Sequence, residues 1–543
     1  MILVTLFMLL VSIAVASMLV ITIKVQRGLR SINYISGVRY GKVVQQLQDK
    51  HELHRFGFGQ YFRRQYGELS IFSIAMNAIG TFPIMLLLLA PIIQQGGMGA
   101  GLFIYCGVGL VFIIILALIA QYLSAQPTAG GLYHAALREG GRWLGSIVGS
   151  LQLIGQLLLM LGYSVGFVYF LRLLLPETVS WLQQPNGMIF TVVLCLVAQL
   201  LIAGFKSTTY RLFHIGAFLI QGGGIALLIL AVIIGWRTES YSGLHLFMTD
   251  AGVAGWFPSL TEMTPMNWGL MIALVGRFFI GGDVSSQHAE ETLEPKVKIA
   301  WATLLSTSYS FMIGLMLMLI LSMFYMNAAY TSNVSGGEMW LLHLVQSNSF
   351  IGYSLLILAL ISCWSSSSTL LHSASRSLMA MGRDGMIPFQ HSLSMMNYIK
   401  QVPQRAYFGV VILALAFVVP LHYISAQQLL LHLTLLAVVS YCFLYVIIFF
   451  FVPLISRTAI WKMEGWERGI RFCGMLLLTM LASAAIACLP LMTLSVIIVP
   501  TLLLALYVVV YSIVIKGQSN KFFGHDNSAS RDLFEMEGEM PLQ

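Results

Sequence analysis

Charged residues are scarce in this chain. Asp, Glu, Lys and Arg make up 9% of its 543 residues, apolar residues make up 58%, and the mean hydropathy is +0.85. This composition excludes a soluble domain of useful size. It predicts an all-α polytopic membrane protein, with room for about a dozen spans of about 20 residues each.

Cysteines are few, and other chemical signatures are missing. All six cysteines lie in or at the edge of apolar windows, so no external disulfide is predicted. No Cys/His spacing indicates a metal site, and neither a Walker-type loop nor a Ser-His-Asp arrangement is present. We therefore expect no enzyme activity, no cofactor and no covalent chemistry.

Apolar windows divide the chain into four parts. Residues 1–23 predict an extra N-terminal transmembrane helix, a signal anchor rather than a signal peptide because basic residues follow it instead of preceding it. Residues 24–69 form a basic cytoplasmic segment, 70–516 a twelve-span domain and 517–543 a polar cytoplasmic tail. The thirteen windows are 2–23, 70–95, 101–124, 145–171, 188–205, 212–236, 266–289, 300–325, 350–375, 406–424, 428–454, 473–491 and 494–515.

The cations are distributed asymmetrically. With these windows, all but three of the 29 Lys and Arg fall on one side of the membrane, the exceptions being Arg172, Arg237 and Arg277. The positive-inside rule makes that side cytoplasmic, which places the N-terminus outside and the C-terminal tail inside. The net charge of +8 therefore reflects orientation and not a nucleic-acid partner. Asn333 begins a glycosylation sequon in a loop predicted to be external.

Two windows contain residues that do not suit a simple anchor helix. In 266–289, Gly281 and Gly282 permit the backbone to leave helical geometry, and Asp283 needs a partner or water at this depth. In 70–95, Gly80 and a proline three residues later interrupt the run. Broken helices at the midplane form substrate sites in many secondary transporters, whereas a glycine or proline kink for close packing is the alternative.

Three passages, in this order, resemble the amino acid–polyamine–organocation superfamily, most closely its amino acid/choline permeases, which include GABA permeases. They are Ala-Gln-Pro-Thr-Ala-Gly-Gly-Leu-Tyr-His at 125–134, Gly-Gly-Asp-Val-Ser-Ser-Gln-His-Ala-Glu-Glu-Thr at 281–292, and Ser-Arg-Ser-Leu-Met-Ala-Met-Gly-Arg-Asp-Gly-Met-Ile-Pro at 375–388. The chain departs from the family pattern at Gln121, where an acid is common, at Gly282, where the family has Tyr, and at Gln287, where it has His. These departures bear on substrate identity and on any proton step.

The resemblance implies a leucine-transporter-like fold, a five-plus-five inverted repeat with broken first and sixth core spans. A substrate carboxylate would bind freed amides at the first break, and a substrate ammonium would bind carbonyls at the second. The predicted substrate-binding residues are Asn77, Ala78, Ile79, Gly80, Thr81, Arg277, Phe279, Ile280, Gly281 and Gly282.

Several charged or polar residues have two readings each. Arg277 is either a counter-charge for a substrate carboxylate or a structural pair with Asp283 or an external acid. Asp283 either carries a coupling proton or caps the inner half-helix. Glu290 and Glu291 are predicted to form gating ion pairs with Arg376, Arg383 or Lys296. Ser365, Ser366, Ser367 and Ser368 either contribute to a sodium site or pack helices closely.

The sequence therefore predicts a transporter of small amino acids, GABA-like, neutral or acidic, that works by alternating access in the plasma membrane or an organelle membrane. Coupling to H⁺ is favoured over Na⁺. The alternative is a transporter-like sensor that binds amino acids without turnover. No disulfide-linked heavy chain is expected, because residues 172–187 contain no cysteine.

Overall fold

The computed structural model describes residues 49–51, 53–54, 59–175, 180–205, 207–238, 264–332, 349–397, 400–419, 424–455 and 465–489. Twelve α-helices follow one another in these ranges. They are α1 (Glu68–Ile79), α2 (Thr81–Ala125), α3 (Leu132–Leu174), α4 (Pro185–Ala203), α5 (Ser207–Thr238), α6 (Pro265–Gly276), α7 (Pro295–Ser332), α8 (Ser349–Arg383), α9 (Gln390–Ser394), α10 (Gln404–Val418), α11 (Ala426–Ile455) and α12 (Gly465–Ala487). Three 3-10 helices cover Ser180–Gln183, Arg277–Phe279 and Gly282–Glu291.

Within the described ranges, nine helical stretches are long and apolar enough to cross a membrane. They coincide with nine predicted windows, and the shorter apolar helices Gln404–Val418 and Arg471–Ala487 fall at two more. The windows 2–23 and 494–515 lie outside the described residues, as do the sequon at Asn333 and the tail. The polytopic helical architecture is confirmed, and the count of twelve core spans stays a prediction.

Local sequence explains where helices begin and bend. Pro185 and Pro265 occupy the first turns of α4 and α6, where their missing N–H costs nothing. Thr264 caps α6 by accepting a hydrogen bond from the amide of Asn267 at 3.3 Å. Helix α2 contains two spans, because its backbone reaches φ 75° at Gly97, between two apolar windows.

The core lies between two groups of packed helices. Helix α3 packs against α8 and α11, α2 packs against α7, and α1 contacts α5, α7 and the 3-10 helix at 282–291. Many polar side chains in these elements are buried, including most of 282–292 and a run of hydroxyls on α8. Because buried polar groups require hydrogen-bond partners, this polar interior is the candidate location of a functional site.

Candidate functional site

The first break is a single left-handed residue. Helix α1 ends at Ile79, Gly80 adopts φ 61° and ψ 50°, and α2 begins at Thr81. This conformation costs a side chain about 1–2 kcal/mol, and a Cβ on Gly80 would also collide with the phenol of Tyr163. Glycine is therefore required here both for backbone conformation and for space.

The second break is longer. Helix α6 ends at Gly276, Arg277–Phe279 forms a 3-10 turn, Ile280 is extended, and Gly281 has φ 107°. The following segment is 3-10 helical from Gly282 to Glu291 and is kinked at His288, where φ is −97° and ψ is 15°. The sequence suggested a regular α-helix for this inner half, but the structure has the tighter 3-10 geometry. The segment is rich in Gly, Asp and Ser, and these residues favour α-helix poorly.

The two breaks are in contact, and their backbones approach so closely that a side chain would not fit between them. A Cβ on Gly281 would lie 3.2 Å from the carbonyl oxygen of Ala78, and one on Gly282 would lie 2.9 Å from Oγ1 of Thr307. Tyr163 on α3 closes this junction, since its hydroxyl donates to the carbonyls of Ile79 and Ala78. No motif or spacing in the sequence selects Tyr163, and only the fold brings it to the break.

Arg277 lies inside this junction and is 2% exposed. Its guanidinium carbon sits 5.0 Å from the ring centroid of Tyr163, and Nη1 donates to the carbonyl of Ile79 over 3.4 Å. In the part of the chain that the structure describes, no carboxylate lies within 4.0 Å of it. An ion pair with Asp283 is therefore absent, and the guanidinium, a group with five donors, contacts the carbonyl of Ile79 and the side chain of Tyr163.

Asp283 is fully buried beside the second break. Its Oδ1 accepts a hydrogen bond from the hydroxyl of Tyr445 on α11 at 2.9 Å, whereas Oδ2 has no partner among the described residues. Asp283 lies in the first turn of the 3-10 helix, whose N-cap residue is Gly281, and both interpretations of this carboxylate stay predictions. No spacing in the sequence could have identified Tyr445, which lies far along the chain.

Other predicted substrate residues face helices rather than the junction. Asn77 donates to the carbonyl of His214 at 2.8 Å and accepts from Gln221, while Thr81 shares a 2.5 Å hydrogen bond with Ser310 on α7. The ring of Phe279 packs against aromatic rings of α2, 5.1 Å from Tyr105. Ala78, Ile79 and Ile280 are buried and reach the junction through their backbone.

The four serines on α8 point to different partners. Ser367 bonds to Ser164, to the carbonyl of Met160 and to Gln199, and Ser366 accepts from Gln221 at 3.3 Å. Ser365 donates back to its own helix, and Ser368 has no partner among the described residues. Because the hydroxyls diverge toward α3, α4 and α5, the arrangement fits helix packing, and the sodium site remains a sequence-based prediction.

The opposite end of the broken sixth span carries two buried ion pairs. Glu291 Oε1 lies 2.5 Å from Nε of Arg376, and Glu290 Oε1 lies 2.9 Å from Nη2 of Arg383. Both arginines are on α8, so these contacts join the 3-10 helix to α8, as the sequence suggested. The backbone amide of Ala129 also donates to Glu290 at 3.1 Å. We refer to this region, which closes what we predict to be the cytoplasmic mouth, as the inner ion-pair cluster.

Beyond the end of α8, Asp384 extends this charged region toward α3. Its Oδ2 lies 2.8 Å from Nε2 of His134 and 2.9 Å from the hydroxyl of Tyr133. Burial alone would raise the pKa of the Asp384 carboxyl. The charge of His134 and the hydrogen bonds from His134 and Tyr133, together with the charge of Arg383, outweigh burial and hold that pKa below its ordinary value.

Three histidines from distant parts of the chain meet beside the inner ion-pair cluster. The rings of His214, His288 and His372 lie 5.0 to 6.1 Å from one another. Ligand atoms of His288, Glu291 and His372 fall within 4.8 Å of each other, a grouping that sequence spacing did not reveal. Arg376 already pairs with the Glu291 carboxylate, so a divalent cation here would share its anion with a fixed positive charge, which opposes metal binding.

Comparisons with known proteins agree with this architecture. Residues 66–525 match the amino acid permease family. Two uncharacterized amino-acid permeases of Schizosaccharomyces pombe are 26% and 23% identical, over 69% and 66% of this chain and 68% and 64% of their own lengths. The GABA-specific permease of Saccharomyces cerevisiae is 30% identical over 112 residues, 20% of this chain and 19% of that protein.

The fold is similar to that of a solved transporter. The crystal structure of MhsT in complex with L-phenylalanine superposes with a TM-score of 0.52 and 12% identity, covering 78% of this chain and 99% of that one. This likeness confirms the leucine-transporter-like fold that the two broken spans indicate. With a family match over most of its length and this fold, the chain belongs to the amino acid permease family.

Proposed function

We propose that this protein is a secondary transporter that moves small zwitterionic or acidic amino acids by alternating access around the junction of its two breaks. The observation that carries the proposal is a buried arginine, Arg277, placed beside two facing breaks and lacking a carboxylate partner among the described residues. A cation in a membrane interior is rare and marks a functional site by default.

The junction offers complementary groups to an amino acid. The first amides of α2, at Thr81 and the following residue, lie at the positive end of a helix and favour a carboxylate. The unused donors of Arg277 would hold a carboxylate as well, and bidentate binding of this kind is the guanidinium's particular strength. The same positive charge would oppose lysine-like or polyamine substrates. MhsT binds L-phenylalanine and a yeast relative is GABA-specific, and both of these ligands have an amino group and a carboxylate.

Asp283 is the residue that we propose for proton coupling. Its carboxyl is buried, has one hydroxyl partner in Tyr445 and one oxygen without a partner in the described chain. A carboxylate in such a place is costly when charged and unpaired, so proton uptake would accompany closure around the substrate. Sodium coupling is the less favoured alternative, given the diverging hydroxyls on α8.

The test is uptake of labelled amino acids into proteoliposomes that hold the purified full-length protein. The panel includes GABA, glutamate, alanine and lysine, each with and without a proton gradient. We expect uptake of one or more zwitterionic or acidic substrates, steepened by the gradient, and no uptake of lysine. Asp283→Asn should remove the effect of the gradient and leave exchange of external for internal substrate intact.

Arg277→Gln tests the selectivity directly. Loss of one charged hydrogen bond, worth about 1.5–3 kcal/mol, should reduce uptake of glutamate, which has a second carboxylate, roughly 10- to 100-fold and uptake of GABA or alanine less. Arg63→Gln, at an exposed cation in the described pre-span segment, is the control and should transport normally. Equal loss for all substrates with lowered expression would assign Arg277 a structural role. Saturable binding without any uptake would favour the sensor.

A further inference from the structure

An apolar groove opens on the membrane-facing surface, away from the substrate junction. It has a volume of about 620 Å³ and lies between α3, α8, α9 and α10. Its walls are almost entirely apolar and include Leu153, Leu378, Phe389, Phe408, Ile412 and Leu413. A groove of this composition does not suit a polar substrate, and it needs an apolar occupant.

The outer wall of the groove faces the bilayer. Phe389, Phe408 and Ile412 are 80%, 55% and 65% exposed in the protein alone, and the last two lie on the apolar helix α10. In a membrane protein, such exposed apolar side chains contact lipid tails. Phe389 lies at the rim of the groove. Its φ of 59° is an uncommon conformation for an aromatic residue.

One cation stands at the polar end of the groove. Arg405, in the first turn of α10, lines the groove and is exposed. Its Nη1 contacts the sulfur of Met395 at 3.0 Å, and a thioether is only a weak acceptor. Across the described chain, no carboxylate lies within 4.0 Å of it. The guanidinium is therefore available to an anion from outside the protein.

Position and charge together identify the occupant. Arg405 lies on the side that the cation distribution predicts to be cytoplasmic, and the cytoplasmic leaflet carries anionic phospholipids. We propose that the groove binds an anionic phospholipid, with one acyl chain between α3, α8 and α10 and the phosphate on Arg405. An arginine fork matches phosphate oxygens, and the apolar walls match the chain.

This site would act on the transporter through α8. Leu378 and Met381 line the groove, and Arg376 and Arg383 of the inner ion-pair cluster project from the same stretch of that helix. A bound chain would thus support the helix that holds the mouth closed. The inference does not depend on which substrate is carried, so its failure leaves the proposed function untouched.

The experiment is native mass spectrometry of the purified full-length protein, titrated with phosphatidylserine or with phosphatidylcholine. We expect the wild type to retain one phosphatidylserine at concentrations where phosphatidylcholine is lost. Arg405→Gln should weaken phosphatidylserine binding roughly fivefold, the effect of one cation near an anionic surface, and weaken binding of phosphatidylcholine less, because that headgroup has a phosphate but no net charge. Ile412→Trp, which fills the groove from its lipid side, should weaken both lipids.

Matched controls separate this site from general lipid contact. Arg63→Gln removes another exposed cation of the same predicted side, and Leu219→Trp enlarges a side chain on α5 that is 65% exposed, as Ile412 is. Neither control should change lipid retention. Unchanged phosphatidylserine binding in Arg405→Gln or in Ile412→Trp would overturn the proposal. So would a wild type that retains no lipid because another part of this chain or a second copy covers the groove.

Discussion

Buried charges are paired in the inner ion-pair cluster, whereas the buried arginine at the junction of the two breaks has no carboxylate partner among the described residues. In the cluster, Oε1 of Glu291 lies 2.5 Å from Nε of Arg376, so the two buried charges are paired. In the junction, Arg277 faces a carbonyl and an aromatic ring, with no carboxylate within 4.0 Å among the described residues. A buried ion pair joins two elements, whereas a buried cation without a carboxylate partner is a candidate ligand site. We therefore propose that the sixth span contributes a gate at one end and a substrate site at the other.

The largest effect is expected when one partner of an ion pair in the inner ion-pair cluster is removed. Arg376→Gln leaves Glu291 buried without its guanidinium, and removing one member of a buried pair costs about 3–5 kcal/mol. We expect a clear fall in the melting temperature of the purified protein and increased labelling of cysteines introduced at the mouth. The double variant Glu291→Gln/Arg376→Gln should recover part of the loss, because no charge is left unpaired.

If the double variant is no more stable than either single one, the pair does not act as a latch. The Glu290–Arg383 pair offers a graded control. Arg383 is 15% exposed at its side chain, whereas Arg376 is 0% exposed. Glu290→Gln should therefore cost less than Glu291→Gln, because it leaves Arg383, which water can partly solvate, whereas Glu291→Gln leaves the fully buried Arg376.

A smaller effect is expected from the glycines of the junction. Gly80→Ala and Gly281→Ala place a Cβ at positive φ, which costs about 1–3 kcal/mol, and each Cβ meets a neighbouring element. Uptake should fall by at least about tenfold while the protein still reaches the membrane. Gly162→Ala on α3 is the control, because a Cβ there has nothing within 4 Å. Normal uptake in both junction variants would show that the breaks are only kinks.

The smallest effect is expected at Tyr163. Tyr163→Phe keeps the ring beneath Arg277 but removes the hydroxyl that donates to the carbonyls of Ile79 and Ala78. One hydrogen bond is worth about 0.5–1.5 kcal/mol, so substrate affinity should change by about 2- to 10-fold. Affinity is read from concentration-dependent uptake. Complete loss of transport, as large as that of a glycine variant, would mean that Tyr163 binds substrate directly.

Much of this architecture could be read from the sequence, because membrane depth imposes strong rules. Gly80 and Gly281 stand out in apolar windows, and both adopt left-handed geometry. Glu290 and Glu291 were predicted to meet arginines of α8, and they do. Roles as gate, coupling site or substrate ligand stay predictions for all of these residues.

The direction in which each polar side chain points could not be predicted from the sequence. Asn77 lies beside the first break, yet its side-chain amide donates a hydrogen bond to a carbonyl of α5. Tyr445 donates to Asp283 from a helix far along the chain. The histidine grouping has the same origin, since His214, His288 and His372 come from three different elements. Long-range packing decides such contacts, and no local periodicity encodes it.

The inner halves of the two broken spans contact each other at both ends. At the midplane, Gly281 lies against Ala78, and at the mouth the amides of Gln65 and Tyr66 donate to the carbonyl of Glu291 at 2.8 and 2.9 Å. The amide of Leu293 returns a bond to Tyr66 at 3.1 Å. If the protein transports by alternating access, as we propose, helix α1 and the 3-10 helix should move together as a single unit. The contact that would have to open is the one with α8, where the two ion pairs lie.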